Sequence, residues 1–149
     1  MNFGLRHLYA SYRNKRHISL SVDQFTYLIN LFPSLMVCMS DGIMDDKEWA
    51  GLEKNIEVLS FELSQEEGVL DHFNLQNLFL SELKYLSQHL SEWQEAFISA
   101  LSDHLKESTE DKDFVLESLY LFANVSGGGI SSEESSTIRM LSRRLGLQA

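Results

Sequence analysis

The sequence of 149 residues is long enough for one domain with a sizeable core, and its 44% hydrophobic and 23% charged residues are typical of a soluble globular protein. A formal net charge of −10 disfavours nucleic acid as a partner, because an acidic surface repels phosphates. With one proline and few glycines outside residues 127–129, the chain lacks the turn signals of a β-sandwich, so we predict an all-α fold.

The single cysteine and the N-terminal residues argue against disulfide-linked, secreted and membrane-spanning proteins. Cys38 excludes a disulfide within the chain and stands in an apolar run, so we expect a buried thiol rather than a nucleophile. Residues 1–20 lack the apolar stretch of a signal peptide, and apolar runs of about five residues are far below the roughly 18 that span a bilayer. We therefore expect a soluble cytoplasmic protein.

Basic residues are concentrated at the N-terminus. Residues 1–22 carry four of the 12 lysines and arginines and none of the 22 acidic residues. Because residues 1–20 show no sustained helical period, we interpret them as a partly ordered basic arm in front of a helical domain at 21–149. The arm either folds back on the acidic body or stays disordered, or it contacts an anionic membrane surface.

Two helix-start patterns mark the first half of the helical domain. Ser21 to Gln24 has the S-x-x-Q form of a capping box, and its helix is expected to end or kink at Pro33. Residues 34–40 are apolar on nearly every side, which predicts a central helix closed by a left-handed Gly42. Asp45 to Glu48 forms the second capping box. The helix that follows is expected to bury one stripe of side chains: Trp49, Leu52, Ile56 and Leu59.

The second half contains further helical segments. Ser64 to Glu67 resembles another capping box, and residues 75–90 place an apolar face on a helix from which Glu82 points away. Ser91 is expected to open the next helix. Residues 114–125 are again mostly apolar, which predicts a second central helix.

The C-terminal segment has the same elements as residues 34–59. Gly127–Gly129 predicts a turn that allows positive φ, and Ser131 with Glu134 forms a capping box for the last helix. Gly146 is expected to close that helix in a Schellman-like ending. The two segments therefore form a repeat at a constant offset, with these pairs: Asp41 and Gly127, Gly42 and Gly128, Met44 and Ile130, Asp45 and Ser131, Glu48 and Glu134, Leu52 and Ile138. We predict two similar helical hairpins whose apolar helices pack together.

The motif Asp-Gly-x-Met-Asp-x-x-Glu, its weaker copy near the C-terminus and the ending Arg-Arg-Leu-Gly-Leu resemble the tellurite-resistance TerB family. A similar all-helical unit occurs in the N-terminal region of a membrane-anchored J-domain co-chaperone. The resemblance covers residues 22–147. It implies a compact single-domain bundle of about seven helices, linked in bacteria to tellurite and other chemical stress, with acidic residues proposed to bind metal.

The metal proposal transfers by motif to acidic residues in both copies. They are Asp41, Asp45, Glu48 and the neighbouring Asp46 in the first copy, and Glu133 and Glu134 in the second. Carboxylates of this kind would supply oxygen ligands to a divalent cation. The alternative interpretation is that the same side chains only cap helices, since the second copy keeps the capping residues and lacks the other acids.

No enzyme motif accompanies these acids. The sequence has no H-E-x-x-H, no G-x-S-x-G and no phosphate-binding G-x-x-x-x-G-K. A metal-dependent enzyme would have to combine the acidic turn with His72, His89 or His104, whereas we expect these to be ordinary surface or half-buried histidines.

We therefore predict a non-enzymatic TerB-like interaction module of a bacterial stress response, with protein partners and a divalent cation as the candidate ligand. A metal-dependent enzyme, or a peripheral membrane protein that uses residues 1–20, are the alternatives.

Overall fold

The computed structural model describes residues 3–40, 42, 44–67, 72–123 and 131–147. Within these residues the chain forms seven α-helices and no strand. In chain order the helices are α1 (Phe3–Arg16), α2 (Val22–Cys38), α3 (Asp46–Glu67), α4 (His72–Gln88), α5 (Leu90–Leu105), α6 (Thr109–Ala123) and α7 (Ser132–Leu145). The predicted all-α bundle is confirmed.

Helix α2 lies at the centre of the bundle. Every residue from 28 to 38 is buried, and α2 contacts all of α3, α4, α5, α6 and α7. A helix that is apolar on all sides can bury its surface only when other helices surround it. This confirms the central position predicted for residues 34–40.

The helix end predicted at Pro33 is wrong, because α2 continues through that residue. A proline inside a helix removes one hydrogen bond and costs about 3 kcal/mol. Phe32 and Leu35, on either side, are fully buried, and each such side chain contributes roughly 1.5–3 kcal/mol. Packing on both sides of Pro33 therefore outweighs the lost hydrogen bond.

The two predicted hairpins correspond to α2–α3 and α6–α7, and they meet. Helix α2 packs most extensively on α6, while α2 also contacts α7 and α6 contacts α3. The first helix of each hairpin thus contacts the second helix of the other, but α6, predicted as a second central helix, is less enclosed than α2 and leaves Tyr120 largely exposed. This reciprocal packing is the arrangement expected of two related halves.

Capping residues begin α2, α3 and α7 as predicted, and the cap of α3 is described with the candidate site below. Ser21 and Gln24 form a complete capping box at α2, and Ser131 caps α7 by accepting a hydrogen bond from the Glu134 amide at 3.1 Å. At the other end of α7, Gly146 has a φ of +65°, and the Leu147 amide donates to the Ser142 carbonyl at 2.9 Å. These bonds confirm the Schellman-like ending.

Two predicted helix starts are wrong. The backbone of residues 64–67 forms the last turn of α3 rather than the first turn of a new helix. Glutamine and glutamate propagate a helix as readily as they start one, so Ser64 alone does not interrupt α3. Helix α5 begins at Leu90, with His89 at the N-cap position and no side-chain cap, so Ser91 lies inside it.

The N-terminal residues form a packed helix rather than the partly ordered arm that we expected. Leu5, Leu8 and Tyr12 are buried core residues, and α1 packs along α5. The three side chains follow the i, i+3, i+7 spacing of one helix face, which the intervening basic residues obscured. Folding back onto the acidic body is the interpretation that the structure confirms.

The Glu82 side chain is buried against α1, so the prediction that it points away from the apolar face is wrong. Its side chain is only 2% exposed. The Tyr12 hydroxyl donates to one carboxylate oxygen at 2.7 Å, and the Arg16 guanidinium donates to both oxygens at 2.8 and 2.9 Å. Burial, together with the adjacent Glu82 carboxylate, raises the pKa of Tyr12. We call Tyr12, Arg16 and Glu82 the α1 anchor.

The longest helix, α3, has a water-facing side. Glu53, Lys54 and Glu57 are exposed, whereas Leu52 and Ile56 are fully buried, as the sequence predicted; the side chain of Leu59 lies outside the described residues.

Across the described part of the chain, no helix combines the length and apolar character needed to cross a membrane.

Candidate functional site

The starts of α3 and α7 bring acidic residues from both motif copies to the end of α2. Glu48 is 5% exposed and Glu134 is 4% exposed, which is unusual for carboxylates. Both lie close enough to the Cys38 thiol, as does Asp45, to affect its ionisation. We call Asp45, Glu48 and Glu134, with Cys38, the acidic junction.

In the first copy the capping box is complete. The Glu48 amide donates to the Asp45 carboxylate at 2.7 Å, and the Asp45 amide donates to the Glu48 carboxylate at 3.1 Å. The Cys38 thiol also hydrogen-bonds the Glu48 side chain. Glu48 therefore links the start of α3 to the end of α2.

In the second copy one carboxylate oxygen has a different environment. Oε2 of Glu134 is buried and, within the described residues, has no hydrogen-bond partner. A buried acceptor without a donor normally costs about 1–3 kcal/mol, and more when it carries charge. The unpaired oxygen of Glu134 is thus the one feature of the acidic junction that helix capping does not explain.

Cys38 is buried, as the sequence predicted, and its thiol is held protonated. Burial is the main cause of its raised pKa, and the carboxylates of Glu48, Glu134 and Asp45 raise it further. Because the thiolate is the reactive form, this environment opposes nucleophilic chemistry at Cys38.

The structure gathers only part of the predicted ligand set. Asp45, Glu48 and Glu134 belong to the acidic junction, in which the two glutamates are buried and Asp45 is exposed; Asp46 and Glu133 are exposed and lie outside it. Asp41 and the glycine turn at 127–129 lie outside the described residues. Among the residues that are described, no three histidine, cysteine, aspartate or glutamate side chains are grouped to hold a metal ion.

Two of the three histidines considered for an enzyme have partners elsewhere. Nδ1 of His89 lies 2.9 Å from the Tyr85 carbonyl oxygen, and the two rings stack with centroids 4.4 Å apart. Nε2 of His104 lies 2.5 Å from the Asp111 carboxylate. The side chain of His72 is outside the described residues.

His104 and Asp111 belong to a second polar group, which sequence reasoning missed. The Asp111 carboxylate also accepts a hydrogen bond from the Asn30 side chain. The hydrogen bond with His104 is the main cause of the lowered pKa of Asp111, and the bond from Asn30 lowers it further against the effect of burial. Asn30 and Asp111 line a cleft of about 220 Å³ beside α2, together with Asp23, Thr26 and Tyr27.

The sequence contained one usable signal for the acidic junction. Glu48 and Glu134 occupy equivalent positions of the repeat, so two hairpins packed through their central helices bring the starts of α3 and α7 toward each other. The position of Cys38 between the two glutamates had no such signal, because it depends on the continuous course of α2 past Pro33.

No protein family, curated protein or solved structure matches the chain. The resemblance to the TerB family therefore depends on the motif residues themselves. In the structure the matching residues Glu48 and Glu134 stand at equivalent positions, three residues into their capping motifs, at the starts of α3 and α7.

Proposed function

We propose that the chain is a non-enzymatic TerB-like interaction module of a bacterial, cytoplasmic stress response of the tellurite-resistance type. The observation that carries this proposal is the convergence of both motif copies on the acidic junction. Glu48 and Glu134 are buried beside the same thiol, although the chain positions that supply them are far apart.

The state of the junction residues supports a binding role rather than catalysis. Asp45 and Glu48 are engaged with backbone amides, and Glu48 also bonds the Cys38 thiol. A general base needs to reach a substrate proton, and a nucleophile needs to be deprotonated. Glu48 and Glu134 are buried and Cys38 is held protonated, so these three side chains meet neither requirement.

The exposed apolar side chains of α3 support a protein partner. Val58 and Phe61 are about half exposed and lie on the same face of α3, three residues apart. Large apolar side chains at a protein surface often mark contact sites. A module without chemistry of its own would act through such a surface.

Affinity capture from stressed bacterial cells tests the interaction role. We expect the parent chain to retain a specific protein in tellurite-treated cells with divalent ions present, and the V58E/F61E variant to lose it. Val22→Glu is the matched control, since Val22 is also exposed but lies at the start of α2. Capture of the same proteins by all three chains, or of none, would contradict the proposal.

Divalent-cation binding is a second candidate function, favoured by the unpaired Oε2 of Glu134. Carboxylate oxygens suit hard ions such as Ca²⁺ or Mg²⁺. Because Glu134, Glu48 and Asp45 do not form a group of three ligands, an ion would be held by Glu134 with further oxygens, for which Asp41 of the first motif copy is the candidate. A bound ion would neutralise the charge of the buried carboxylates.

Calorimetric titration with Ca²⁺, Mg²⁺, Mn²⁺ and Zn²⁺ tests this second function. We expect saturable heat with at least one ion, and its loss in Glu134→Gln. Glu133→Gln is the matched control, because Glu133 is the adjacent, exposed acid. An absence of heat at millimolar ion would remove the cation from the proposal.

The two alternatives have less support. A metal-dependent enzyme would need His89 or His104 to leave the contacts described above. A peripheral membrane role would use the basic residues of α1, of which Arg16 bonds Glu82 and Lys15 lies 3.9 Å from Glu92. Vesicle flotation with an R6E/R13E variant tests the membrane alternative, which requires that variant to bind less than the parent chain; both arginines are exposed.

A further inference from the structure

Four basic side chains converge on one cleft at the ends of three helices. The cleft has a volume of about 260 Å³ and lies where the C-termini of α5 and α7 meet the start of α6. Its charged lining is Lys106, Lys112, Arg143 and Arg144, and we call it the basic cleft. These are four of only 12 lysines and arginines in a chain of net charge −10.

Helix-dipole complementarity does not by itself explain the basic cleft. Arg143 and Arg144 in the last turn of α7 suit the negative end of that helix. Lys112, however, lies in the first turns of α6, where a positive charge opposes the dipole. Glu110 and Asp111 in the same turn offset part of this charge, but within the described part of the chain Lys112 forms no ion pair with either of them.

The backbone around the basic cleft is fixed by hydrogen bonds. The Ser102 hydroxyl donates to the Arg144 carbonyl at 3.0 Å and so connects α5 to the end of α7. The left-handed Gly146 lets the chain turn there, and the Leu147 amide completes the helix end. The cations thus project from a shared, defined framework.

The positive charge of the basic cleft is only partly neutralised by the protein. Arg144 donates to both oxygens of Glu95 at 2.9 and 3.2 Å, and Lys106 lies 3.8 Å from Asp103. Within the described residues, Lys112 and Arg143 take part in no ion pair. Two cations are therefore left for a ligand, and a third is held by a carboxylate that is largely exposed.

We propose that the basic cleft binds a phosphate-type dianion, such as the phosphate group of a monoester. Guanidinium groups bind phosphate through paired hydrogen bonds, and lysine ammonium groups add point charges. The fork of Arg144 already holds a monocarboxylate, so a single carboxylate ligand gains little over Glu95. A dianion with three acceptor oxygens can contact Arg143, Arg144 and Lys112 together.

Glu95 acts as a competitor for Arg144 in this arrangement. The hydrogen bonds and charge of Arg144 lower the pKa of Glu95, so the carboxylate is ionised at neutral pH. Removing its charge frees the guanidinium without removing any cation. The Glu95→Gln variant should therefore bind phosphate more tightly than the parent chain, which a nonspecific loss of structure could not produce.

Titration with inorganic phosphate and with phosphoserine at low ionic strength, followed by amide NMR shifts of the full chain, tests the proposal. We expect saturable shifts around Gly146 and Lys112, affinity reduced about tenfold or more in a K112A/R143A variant, and affinity increased in Glu95→Gln. Arg139→Ala, an exposed α7 change outside the basic cleft, should bind as the parent does.

Phosphatidic acid in phosphatidylcholine vesicles distinguishes a lipid headgroup from a free phosphate. Binding to these vesicles and not to soluble phosphoserine would identify the lipid as the source of the dianion, and the reverse would identify a soluble ester. The proposal is overturned if inorganic phosphate, phosphoserine and the vesicles all fail to bind saturably, or if K112A/R143A and Glu95→Gln bind these probes as the parent does.

Discussion

Glu82 and Glu134 are two buried glutamates in opposite states. Glu82 accepts hydrogen bonds from Tyr12 and from Nε and Nη2 of Arg16, so its charge is balanced by donors from another helix. Glu134 is equally buried, yet its Oε2 has no partner within the described residues. The comparison separates a carboxylate whose oxygens are both paired from one that has a buried oxygen without a donor in the described part of the chain.

The largest expected effect comes from breaking the satisfied member of the pair. In Glu82→Ala, Tyr12 and Arg16 lose their shared acceptor while α1 covers the site, so we expect the free energy of unfolding to fall by about 3 kcal/mol. Urea unfolding measures the loss. Glu53→Ala on the exposed face of α3 should change stability by less than about 0.5 kcal/mol. Equal effects of the two variants would show that the α1 anchor contributes little.

A smaller change to the same anchor tests the tyrosine alone. Tyr12→Phe keeps the ring packing and removes the hydroxyl that donates to Glu82 at 2.7 Å. A hydrogen bond to a charged group contributes roughly 1.5–3 kcal/mol, so we expect a loss of about 2 kcal/mol in urea unfolding. Tyr120→Phe is the control, since Tyr120 is largely exposed. A loss as small as that of the control would contradict the role given to the hydroxyl.

Asp111 is a case intermediate between Glu82 and Glu134, because its side chain is partly exposed but has hydrogen-bond partners. Its folded pKa lies below the usual value of 3.8, so its contribution to stability is complete at neutral pH. That contribution disappears as the pH falls from about 4 through the lowered pKa. We expect Asp111→Asn to lose about 1 kcal/mol at pH 7 and to be less sensitive than the parent to acid below pH 4. Parallel stability curves for the two chains between pH 2 and 7 would contradict this.

The smallest effect, and one of opposite sign, is expected at Glu134. Glu134→Gln removes the charge of a buried oxygen without a donor, so stability without divalent ions should stay unchanged or rise by up to about 1 kcal/mol. Urea unfolding in a chelating buffer measures it. A loss of more than about 2 kcal/mol would show that the carboxylate is paired in the fold, and the comparison with Glu82 would fail.

Local patterns account for what the sequence predicted correctly. The capping boxes at Ser21 and Asp45 are complete within four residues, so their hydrogen bonds depend on little else. The same kind of pattern at Ser64 was misleading, because Ser64 lies inside α3 and no residue before it ends that helix. A capping motif is thus informative only where the preceding residues end a helix.

Contacts between distant residues account for what the sequence could not predict. Tyr12 and Arg16 lie 70 and 66 positions before Glu82, and no local pattern connects them. Their pairing depends on the packing of α1 against the rest of the bundle. The same holds for the basic cleft, whose cations come from three helices.

The burial of the only cysteine has a practical consequence. Cys38 is 1% exposed and surrounded by carboxylates, so a thiol reagent can modify it only after the end of α2 has separated from α3 and α7. The rate of labelling therefore reports transient opening of the bundle. A ligand that stabilises the acidic junction would lower that rate, and the native cysteine serves as the probe.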